Sequence, residues 1–473
     1  MRDAKRLQTY WRIHGPEWER HDIFRVHQQL ESCETMKFAQ RTNWDLRPNE
    51  LAEALAKHRA AGKPLIDLTV SNPTECGFEY ETERILDALR NAAAMRYEPD
   101  PKGMRSAREA VARYYADRGD SVSPDDIILT TSTSEAYSWV FRLLCDSGDE
   151  VLIPSPGYPL FDFLADINDV KLARYPLFYD HGWHYDLHAL EQAITPRTRA
   201  VMVVHPNNPT GNYCKPEETR RLNEICLAHG LAIVADEVFL DYALDGQRRA
   251  SFATNGAGDG ASRGGLSRRA DPGELGGVGA RSNVGASDAP DVVRRVPLTF
   301  TLSGISKICG LPQMKLAWMV VSGAEEEKAG ALERLEMISD TYLSLNAPVQ
   351  LALPTLLETR HGFQRQVMER VRTNVAEIDR QLAAGNASRE EEDCSARSPR
   401  SAAWTRLELE GGWCAVLRAE AETGEEDFVV KRLAGGLWVH PGSFYELGSC
   451  DVVVSLLRAN RDLNALSQHF VHM

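Results

Sequence analysis

From residue 127 onwards, short apolar runs alternate with helical stretches, and this alternation limits the possible folds. The runs AVMVVH (200–205) and LAIVADEVF (231–239) flank an amphipathic stretch, KPEETRRLNEICLAHG (215–230). Several runs are apolar at successive positions, so each strand is expected to be covered on both faces. The pattern therefore predicts an α/β fold with a mostly parallel central sheet flanked by helices.

Two stretches interrupt this pattern. Residues 255–294 are rich in glycine and lack aromatic side chains, and residues 385–401 are almost entirely polar. Neither composition buries enough apolar surface to offset the entropy cost of ordering the chain. We expect both to be flexible surface insertions. The last part of the chain mixes strands with helices, as in WTRLELEG (404–411), and predicts a smaller α+β domain resting on the core.

Composition and charge exclude several classes of protein. The 54 Lys and Arg residues against 68 Asp and Glu residues give a net charge of −14, which argues against nucleic acid as a partner. No apolar run approaches the roughly 18 residues of a membrane span. The N-terminal residues lack the apolar core of a secretory signal. The nine cysteines form no CxxC pair, so we expect no metal site and reduced thiols in a cytoplasm.

The most specific segment is TLSGISKICGLPQMKLAW (301–318), where Lys307 follows an apolar strand. A lone lysine is usually a solvated surface charge. Lys307, however, lies between a strand and a loop that contains glycine and proline, a common place for catalytic groups. Desolvation there would lower its pKa and make its amine reactive towards carbonyl groups.

Three further segments place polar residues after apolar strands. HPNNPTGN (205–212) follows one strand, although its residues also suit a simple turn. In IVADEVFLDY (233–242), the predicted strand ends at Asp236. A buried acid at this point needs a partner, although capping of a following helix is the simpler explanation for the residue. ILTTSTSEAY (128–137) runs from a predicted strand into a predicted helix. The Ser and Thr residues at the start of that helix could bind an anion, or they could simply cap the helix.

In this order, the four segments resemble the class I/II aminotransferases, which are pyridoxal-phosphate enzymes of fold type I. The resemblance covers about residues 36–470, and it is supported by GDEVLIPSPGYP (148–159) and HPGSFY (440–445). Members usually begin near Met36, so residues 1–35 are an N-terminal extension, either an added arm or the product of a misassigned start. The resemblance implies a large domain over 80–345. It also implies a small domain that combines 36–79 with 346–473.

The resemblance also implies a set of site residues. Lys307 would hold pyridoxal 5'-phosphate as a Schiff base and carry protons during catalysis. Asp236 would pair with the pyridine nitrogen and keep it protonated. The other cofactor contacts implied are Asn208 to the 3-oxygen, Tyr158 stacked on the ring, Ser132, Thr133, Ser134 and Ser306 around the phosphate, and Tyr97 reaching the phosphate of a neighbouring subunit. The last contact implies a homodimer with shared active sites.

Three positions depart from the family pattern. Lys315 stands where members have an arginine that touches the phosphate, so the charge is kept but the bidentate contact is lost. Phe239 replaces a tyrosine that donates to the 3-oxygen, a hydrogen bond worth ~1 kcal/mol. Val453 stands where an arginine usually binds the substrate carboxylate, two residues before a serine.

The implied reaction is transfer of an amino group between an amino acid and a 2-oxo acid. A lyase, synthase or decarboxylase of the same fold is the alternative, and the missing arginine favours it. A transcriptional regulator of this fold would need a DNA-binding module, for which residues 1–35 are too short and carry no basic patch. A nucleotide-binding protein is also disfavoured, because neither a GxGxxG motif nor a P-loop is present.

Overall fold

The computed structural model describes residues 36–255, 295–393, 404–419, 425–448, 451–464 and 466. The strands are β1 Ile66–Asp67, β2 Ile127–Thr130, β3 Glu150–Ser155, β4 Lys171–Tyr179, β5 Trp183–Tyr185, β6 Thr198–Val204, β7 Ala232–Asp236, β8 Thr299–Gly304, β9 Ala317–Ser322, β10 Trp404–Arg406, β11 Cys414–Ala419, β12 Leu437–Trp438, β13 His440–Pro441 and β14 Asp451–Ser455.

The helices are α1 Glu50–Ala60, α2 Thr82–Leu89, α3 Arg105–Asp117, α4 Thr133–Leu144, α5 Phe161–Ile167, α6 Leu187–Gln192, α7 Pro216–His229, α8 Ile305–Ile308, α9 Glu325–Tyr342, α10 Ala347–Asp393, α11 Glu425–Ala434 and α12 Asn460–Leu463. None of those in the described part of the chain has the length and apolar character needed to cross a bilayer.

The central element is an eight-stranded sheet in the order β2-β9-β8-β7-β6-β3-β4-β5. Strands β8, β7, β6, β3 and β4 run parallel, and β9 lies antiparallel between β8 and β2. Strands β2, β7 and β8 are buried along their whole length, because helices cover both faces. The prediction of a mostly parallel sheet flanked by helices is thus confirmed.

A second, antiparallel sheet in the order β10-β11-β14-β13 forms the smaller α+β part of the chain. Strand β1 from the N-terminal region pairs in parallel with β12 from the C-terminal region. The first and last parts of the described chain therefore contact each other through this pair. This pairing brings residues near Ile66 beside residues near Leu437.

Some predicted boundaries were wrong, and each has a local reason. The run PLIDLTV (64–70) predicts a strand, but only Ile66–Asp67 form strand β1, because the partner strand β12 is equally short. The helical pattern after residue 324 predicts an end near residue 380, whereas helix α10 continues to Asp393, so the beginning of the polar stretch 385–401 is helical. The rest of that stretch from 394, and residues 256–294 of the other predicted insertion, lie outside the described residues.

Candidate active site

The predicted site residues lie at one edge of the large sheet. The carboxyl ends of parallel strands lie at a common edge of the sheet, and ligands bind at this edge in open α/β sheets. Asp236 ends β7, and Lys307 follows β8 in the short helix α8. Asn208 follows β6, and Tyr158 follows β3. Strand order alone therefore brings four segments together that are far apart in the sequence.

Asp236 is a buried acid with two hydrogen-bond donors. Its side chain is 8% exposed. The hydroxyl of Tyr137 donates to Oδ2 at 2.8 Å, and the backbone N–H of Val238 donates to Oδ1 at 3.0 Å. Burial raises the pKa of Asp236, whereas these two donors and the charge of Lys307 lower it. Asp236 is therefore more than a helix cap, since no helix begins at β7's end.

The amine of Lys307 lies among aromatic side chains. Its Nζ is 5.7 Å from the ring centre of Phe239 and 5.3 Å from that of Trp413. Burial lowers the pKa of Lys307, and the charges of Cys414 and Asp236 raise it. A lysine with a lowered pKa carries more of the neutral amine that attacks carbonyl groups. Among the residues described, none forms a hydrogen bond with this amine.

The backbone of helix α8 is held by side chains from two other elements. The hydroxyl of Tyr242 donates to the carbonyl oxygen of Lys307 at 2.5 Å. The amide of Gln364, on α10, donates to the carbonyl oxygen of Ile308 at 3.1 Å and to the Asp241 carboxylate at 2.8 Å. These bonds fix the helix from which the Lys307 side chain extends.

Trp413 reaches Lys307 from the C-terminal part of the chain. Its segment is fixed to the large sheet's loops by backbone bonds from Leu244 to Glu410, from Gly411 to Gly211 and from Gly412 to Tyr242. The approach depends on glycine at both positions, because a Cβ at Gly211 would lie 2.5 Å from the Gly411 oxygen. The Trp413 ring also packs edge-on against Phe239 at 5.1 Å.

The remaining wall is formed by Cys414, Tyr158 and Tyr445. Burial raises the pKa of the Cys414 thiol to about 11, with a smaller opposing effect of Lys307. The backbone N–H of Gly157, beside Tyr158, donates to the carbonyl oxygen of Tyr445 at 3.0 Å. The site is therefore closed on one side by residues of the large sheet's loops and on the other by Trp413, Cys414 and Tyr445.

The predicted phosphate-binding residues begin helix α4. The Ser132 hydroxyl accepts from the N–H of Glu135 at 3.2 Å, so it caps the helix. The Glu135 carboxylate in turn accepts from the N–H and the hydroxyl of Thr131. The hydroxyls of Thr133 and Ser134 form no hydrogen bond within the described chain. Together with the free N–H groups of the first turn, they suit an anion.

Asn208, Ser306 and Lys315 also lie at this edge. The Asn207 amide donates to the Pro156 oxygen at 3.1 Å and so ties the loop of Asn208 to the segment before Tyr158. Ser306 precedes Lys307 in α8 and is half-buried. Lys315 is exposed just before β9, whose Ala317 pairs with Gly304 at the end of β8.

Tyr97 does not join this group. It is 81% exposed and follows a short helical turn whose Met95 is 91% exposed. It lines a cavity of about 250 Å³ with Met104, Leu129 and Leu345, and neither Lys307 nor Asp236 borders that cavity. A side chain this exposed is available to a second chain.

Val453 lies in the middle of β14, opposite Val416 on β11 and His440 on β13. Ser455 is opposite Cys414. Opposed residues of an antiparallel pair share a face, so Val453 and Ser455 are on the face of Cys414. Val453 is only 1% exposed. The strand ends at Ser455, so the alternation of faces does not extend to Arg458, which forms an ion pair with Asp462 at 2.8 Å.

Sequence reasoning missed five residues that surround Lys307 and Asp236. Tyr137 was within a recognised segment and is four residues after Thr133, which is a helical spacing that signals a shared face. Trp413 and Cys414 gave no signal, because only tertiary packing brings them to the site. Tyr445 ends the motif HPGSFY, but nothing in that motif indicates that its tyrosine lies beside Cys414 and Tyr158. Tyr242 follows Asp236 closely, but nothing in its spacing indicates a bond to the Lys307 backbone.

The residues present suit pyridoxal 5'-phosphate. An amine with a lowered pKa suits the aldehyde, a buried carboxylate suits the ring nitrogen, and a helix N-terminus with unused hydroxyls suits the phosphate. In the described residues, no three His, Cys, Asp or Glu side chains are arranged to hold a metal ion.

Comparison with known proteins agrees with this geometry. Residues 63–385 match the family model "Aminotransferase class I and II". The glutamate-pyruvate aminotransferase AlaA of Escherichia coli K12 is 30% identical over 315 residues, which are 66% of this chain and 68% of that protein. The alanine aminotransferase of Mycobacterium bovis is 28% identical over 66% of this chain and 65% of its own length.

Solved structures show the same fold. An alanine aminotransferase from Pyrococcus furiosus has a TM-score of 0.72 at 19% identity, with 92% of this chain and 98% of that one covered. An aspartate aminotransferase mutant from Thermus thermophilus has a TM-score of 0.69 at 21% identity and covers 92% and 99%. The curated relatives named above are aminotransferases, so a lyase, synthase or decarboxylase is not favoured. The chain belongs to the class I and II aminotransferases and is a pyridoxal-phosphate-dependent enzyme that transfers amino groups.

Proposed function

We propose that this aminotransferase moves an amino group between an amino acid and a 2-oxo acid, with Lys307 as the covalent and proton-transferring residue. The observation that carries the proposal is the place of Lys307 and Asp236 at the carboxyl ends of adjacent strands. Asp236 ends β7 and Lys307 follows β8, and the charge of each affects the pKa of the other. When bound, the cofactor supplies an electron sink that stabilises negative charge on the substrate Cα.

Each residue of the chain has a distinct role in this proposal. Asp236, held ionised by its two donors, keeps the proton on the ring nitrogen. Lys307 would hold the cofactor as a Schiff base and would move a proton to and from the substrate Cα. Tyr158 would stack on the ring, and Asn208 would donate to the 3-oxygen. Trp413 and Phe239 limit the access of water to the Lys307 amine.

The phosphate is proposed to lie at the start of α4. There Thr133 and Ser134 offer free hydroxyls and Ser132 its backbone, and the proposal adds Ser306 of α8 and Lys315, which precedes β9. Lys315 contributes charge without the two parallel bonds of a guanidinium. We therefore expect the phosphate to be held mainly by hydroxyl and N–H groups.

The proposed substrates are small. Trp413, Phe239 and Tyr445 close the site around Lys307 and leave it largely apolar. The named relatives act on alanine, or on glutamate with pyruvate. Alanine and pyruvate, with glutamate and 2-oxoglutarate, are the first pairs to test.

The enzyme is proposed to be a homodimer with shared active sites. Met95 and Tyr97 expose apolar surface on a segment away from their own Lys307, and apolar patches of this kind mark interfaces. Tyr97→Ala should reduce the association of two chains and weaken cofactor binding. Sedimentation and cofactor titration measure the two effects, and Phe178→Ala, at an exposed aromatic on β4, is a control.

Two other features belong to the proposal. The large domain would span 80–345, since every strand of the large sheet lies between Ile127 and Ser322, and the small domain would combine 36–79 with 346–473.

A cytoplasmic location is proposed because the six cysteines described, including buried Cys226 and Cys309, are free thiols.

A direct experiment tests the reaction. The purified cofactor-bound enzyme is mixed with each amino acid of a panel, and the absorbance of the cofactor is followed until 2-oxo acid is added. Amino transfer predicts a change with the amino acid that the 2-oxo acid reverses. Release of ammonia or carbon dioxide without reversal would contradict the proposal.

A further inference from the structure

Tyr137 contacts the central acid of the site from inside helix α4. Its hydroxyl donates to Oδ2 of Asp236 at 2.8 Å, and both side chains are buried. The Tyr137 ring is fixed by Phe161, with ring centres 5.3 Å apart at 73°, and by Phe141. The hydroxyl therefore has little freedom to leave the carboxylate.

The two donors leave each carboxylate oxygen of Asp236 able to accept one more hydrogen bond. Each carboxylate oxygen accepts from about two directions, and Tyr137 and Val238 occupy one on each oxygen. Burial and the neighbouring Asp236 raise the pKa of Tyr137 well above its ordinary value, so its hydroxyl remains a donor. A donor to the ionised form stabilises it in a buried place that otherwise favours the neutral acid.

The position of Tyr137 on α4 links two parts of the site. Thr133, in the first turn, and Tyr137 are four residues apart and so lie on the same side of the helix. Four residues correspond to about 6 Å along the helix axis. One rigid helix therefore carries the anion-binding end and, one turn further, the hydroxyl that holds Asp236.

We propose that Tyr137 is a positioning residue that orients the Asp236 carboxylate and keeps it ionised for the cofactor's ring nitrogen. The inference rests on the proposed role of Asp236 and deepens it. Without the hydroxyl, Asp236 would attract the proton of the ring nitrogen more strongly and could rotate. The protonated ring, which serves as the electron sink, would then be less populated.

The test is a double-mutant cycle on the holoenzyme with Tyr137→Phe, Asp236→Asn and both together. Tyr137→Phe removes only an oxygen and keeps the ring among Phe141 and Phe161. A hydrogen bond to a charged group predicts cofactor retention on dialysis about 10-fold weaker and kcat about 10-fold lower, with KM little changed. In the Asp236→Asn background, Tyr137→Phe should have almost no further effect.

Matched variants separate the possible results. Tyr175→Phe removes another buried hydroxyl, which donates to the Met202 oxygen at 2.7 Å, and should leave cofactor retention unchanged. Tyr137→His keeps a ring N–H and should restore part of the loss only when Asp236 is present. It also serves if Tyr137→Phe does not fold.

Losses that add in the double variant would overturn the inference, since they would show a purely structural role for Tyr137. Wild-type retention and kcat in Tyr137→Phe would overturn it as well. If Asp236→Asn itself leaves the cofactor spectrum and kcat unchanged, the proposed role of Asp236 fails, which is a different result.

Discussion

The amine of Lys307 lies 5.3 Å from the ring centre of Trp413, although 106 positions separate the two residue numbers. Trp413 is 2% exposed, and its indole N–H has no hydrogen-bond partner in the described chain. The ring therefore contributes shape and exclusion of water at the site. Its position is set by the glycine contact between residues 211 and 411.

Replacing Trp413 should change which substrates fit. Trp413→Leu leaves space beside Lys307, so we expect kcat/KM to rise for bulky aromatic amino acids and to fall for alanine. Loss of the buried ring should cost roughly 2–4 kcal/mol of unfolding free energy. Steady-state kinetics with alanine and phenylalanine measure the change. Trp404→Leu, at a buried tryptophan on β10, controls for stability; an unchanged substrate order in Trp413→Leu would contradict the idea.

Removal of the Lys307 amine should abolish covalent cofactor binding. Lys307→Ala is expected to lose the visible absorbance of the bound cofactor and all turnover, because the amine that forms the Schiff base is removed. Absorbance after gel filtration is the measurement. Lys171→Ala, at an exposed lysine, should retain both, and an unchanged spectrum in Lys307→Ala would disprove the assignment.

Phe239→Tyr should shift the pH at which the bound cofactor changes its absorbance to lower values. A hydroxyl there would stabilise the ionised 3-oxygen and so favour loss of the Schiff-base proton. The Phe239 ring already lies 5.7 Å from the Lys307 amine. Spectroscopic titration measures the shift, with Phe178→Tyr as the control. A shift upwards, or none, would argue against this placement of residue 239.

Glu237 should make stability depend on pH. Its side chain is 1% exposed, and burial raises its pKa to about 8, while bonds from the Ser251 hydroxyl and the Phe252 N–H oppose the rise. The folded state therefore keeps a proton that the unfolded state loses near pH 4.5. Its contribution is fully present below that pH and is lost as the pH rises towards about 8.

Denaturant unfolding at several pH values tests this linkage. Between pH 5 and 8, the wild type should lose up to about 1.4 kcal/mol per pH unit relative to Glu237→Gln. Glu326→Gln, at an exposed position in α9, should follow the wild type. Parallel curves for wild type and Glu237→Gln would mean that Glu237 is ionised in the fold.

Val453 offers a test of how the substrate carboxylate is held. Val453 lies on the same face of the small sheet as Cys414, but its side chain is buried. We expect a high KM for ordinary amino acids in the wild type. Val453→Arg should lower this KM and also lower stability, since it buries a charge. Kinetics and thermal unfolding measure both, with Val453→Met as the size control. Tight binding in the wild type that Arg458→Ala destroys would contradict this prediction.

The sequence was sufficient to predict which edge of the sheet carries the residues at the ends of the parallel strands. Asp236, Lys307 and Asn208 could be located because each directly follows a buried apolar run, and parallel strands end at a common edge. The positions of strands β9 and β2 beside β8 could not be predicted from the sequence, because strand pairing depends on contacts between residues that are distant in the chain. The wall contributed by Trp413 was unpredictable for the same reason, and the motif HPGSFY did not indicate that its Tyr445 helps to close the site.

Other differences between the predicted and the observed elements have local causes. Helix α10 absorbed polar residues up to Asp393 because a helix already formed extends at low cost. Strand β1 stayed short because β12 is short. The alternation of side chains along a strand places Val453 and Ser455 on one face, and their pairing with Val416 and Cys414 agrees. The burial of Val453 could not be inferred from this alternation.

The contact between Gly211 and Gly411 has a consequence for biosynthesis. A ribosome produces residues 127–322, with every strand of the large sheet, well before it reaches residue 413. Domains fold as units during synthesis, so the sheet edge with Asp236 and Lys307 can form while still open to water. The pocket is completed only when the late segment docks on Gly211. Translation that stops before this segment should therefore yield a chain with the catalytic pair in place but its lysine unshielded.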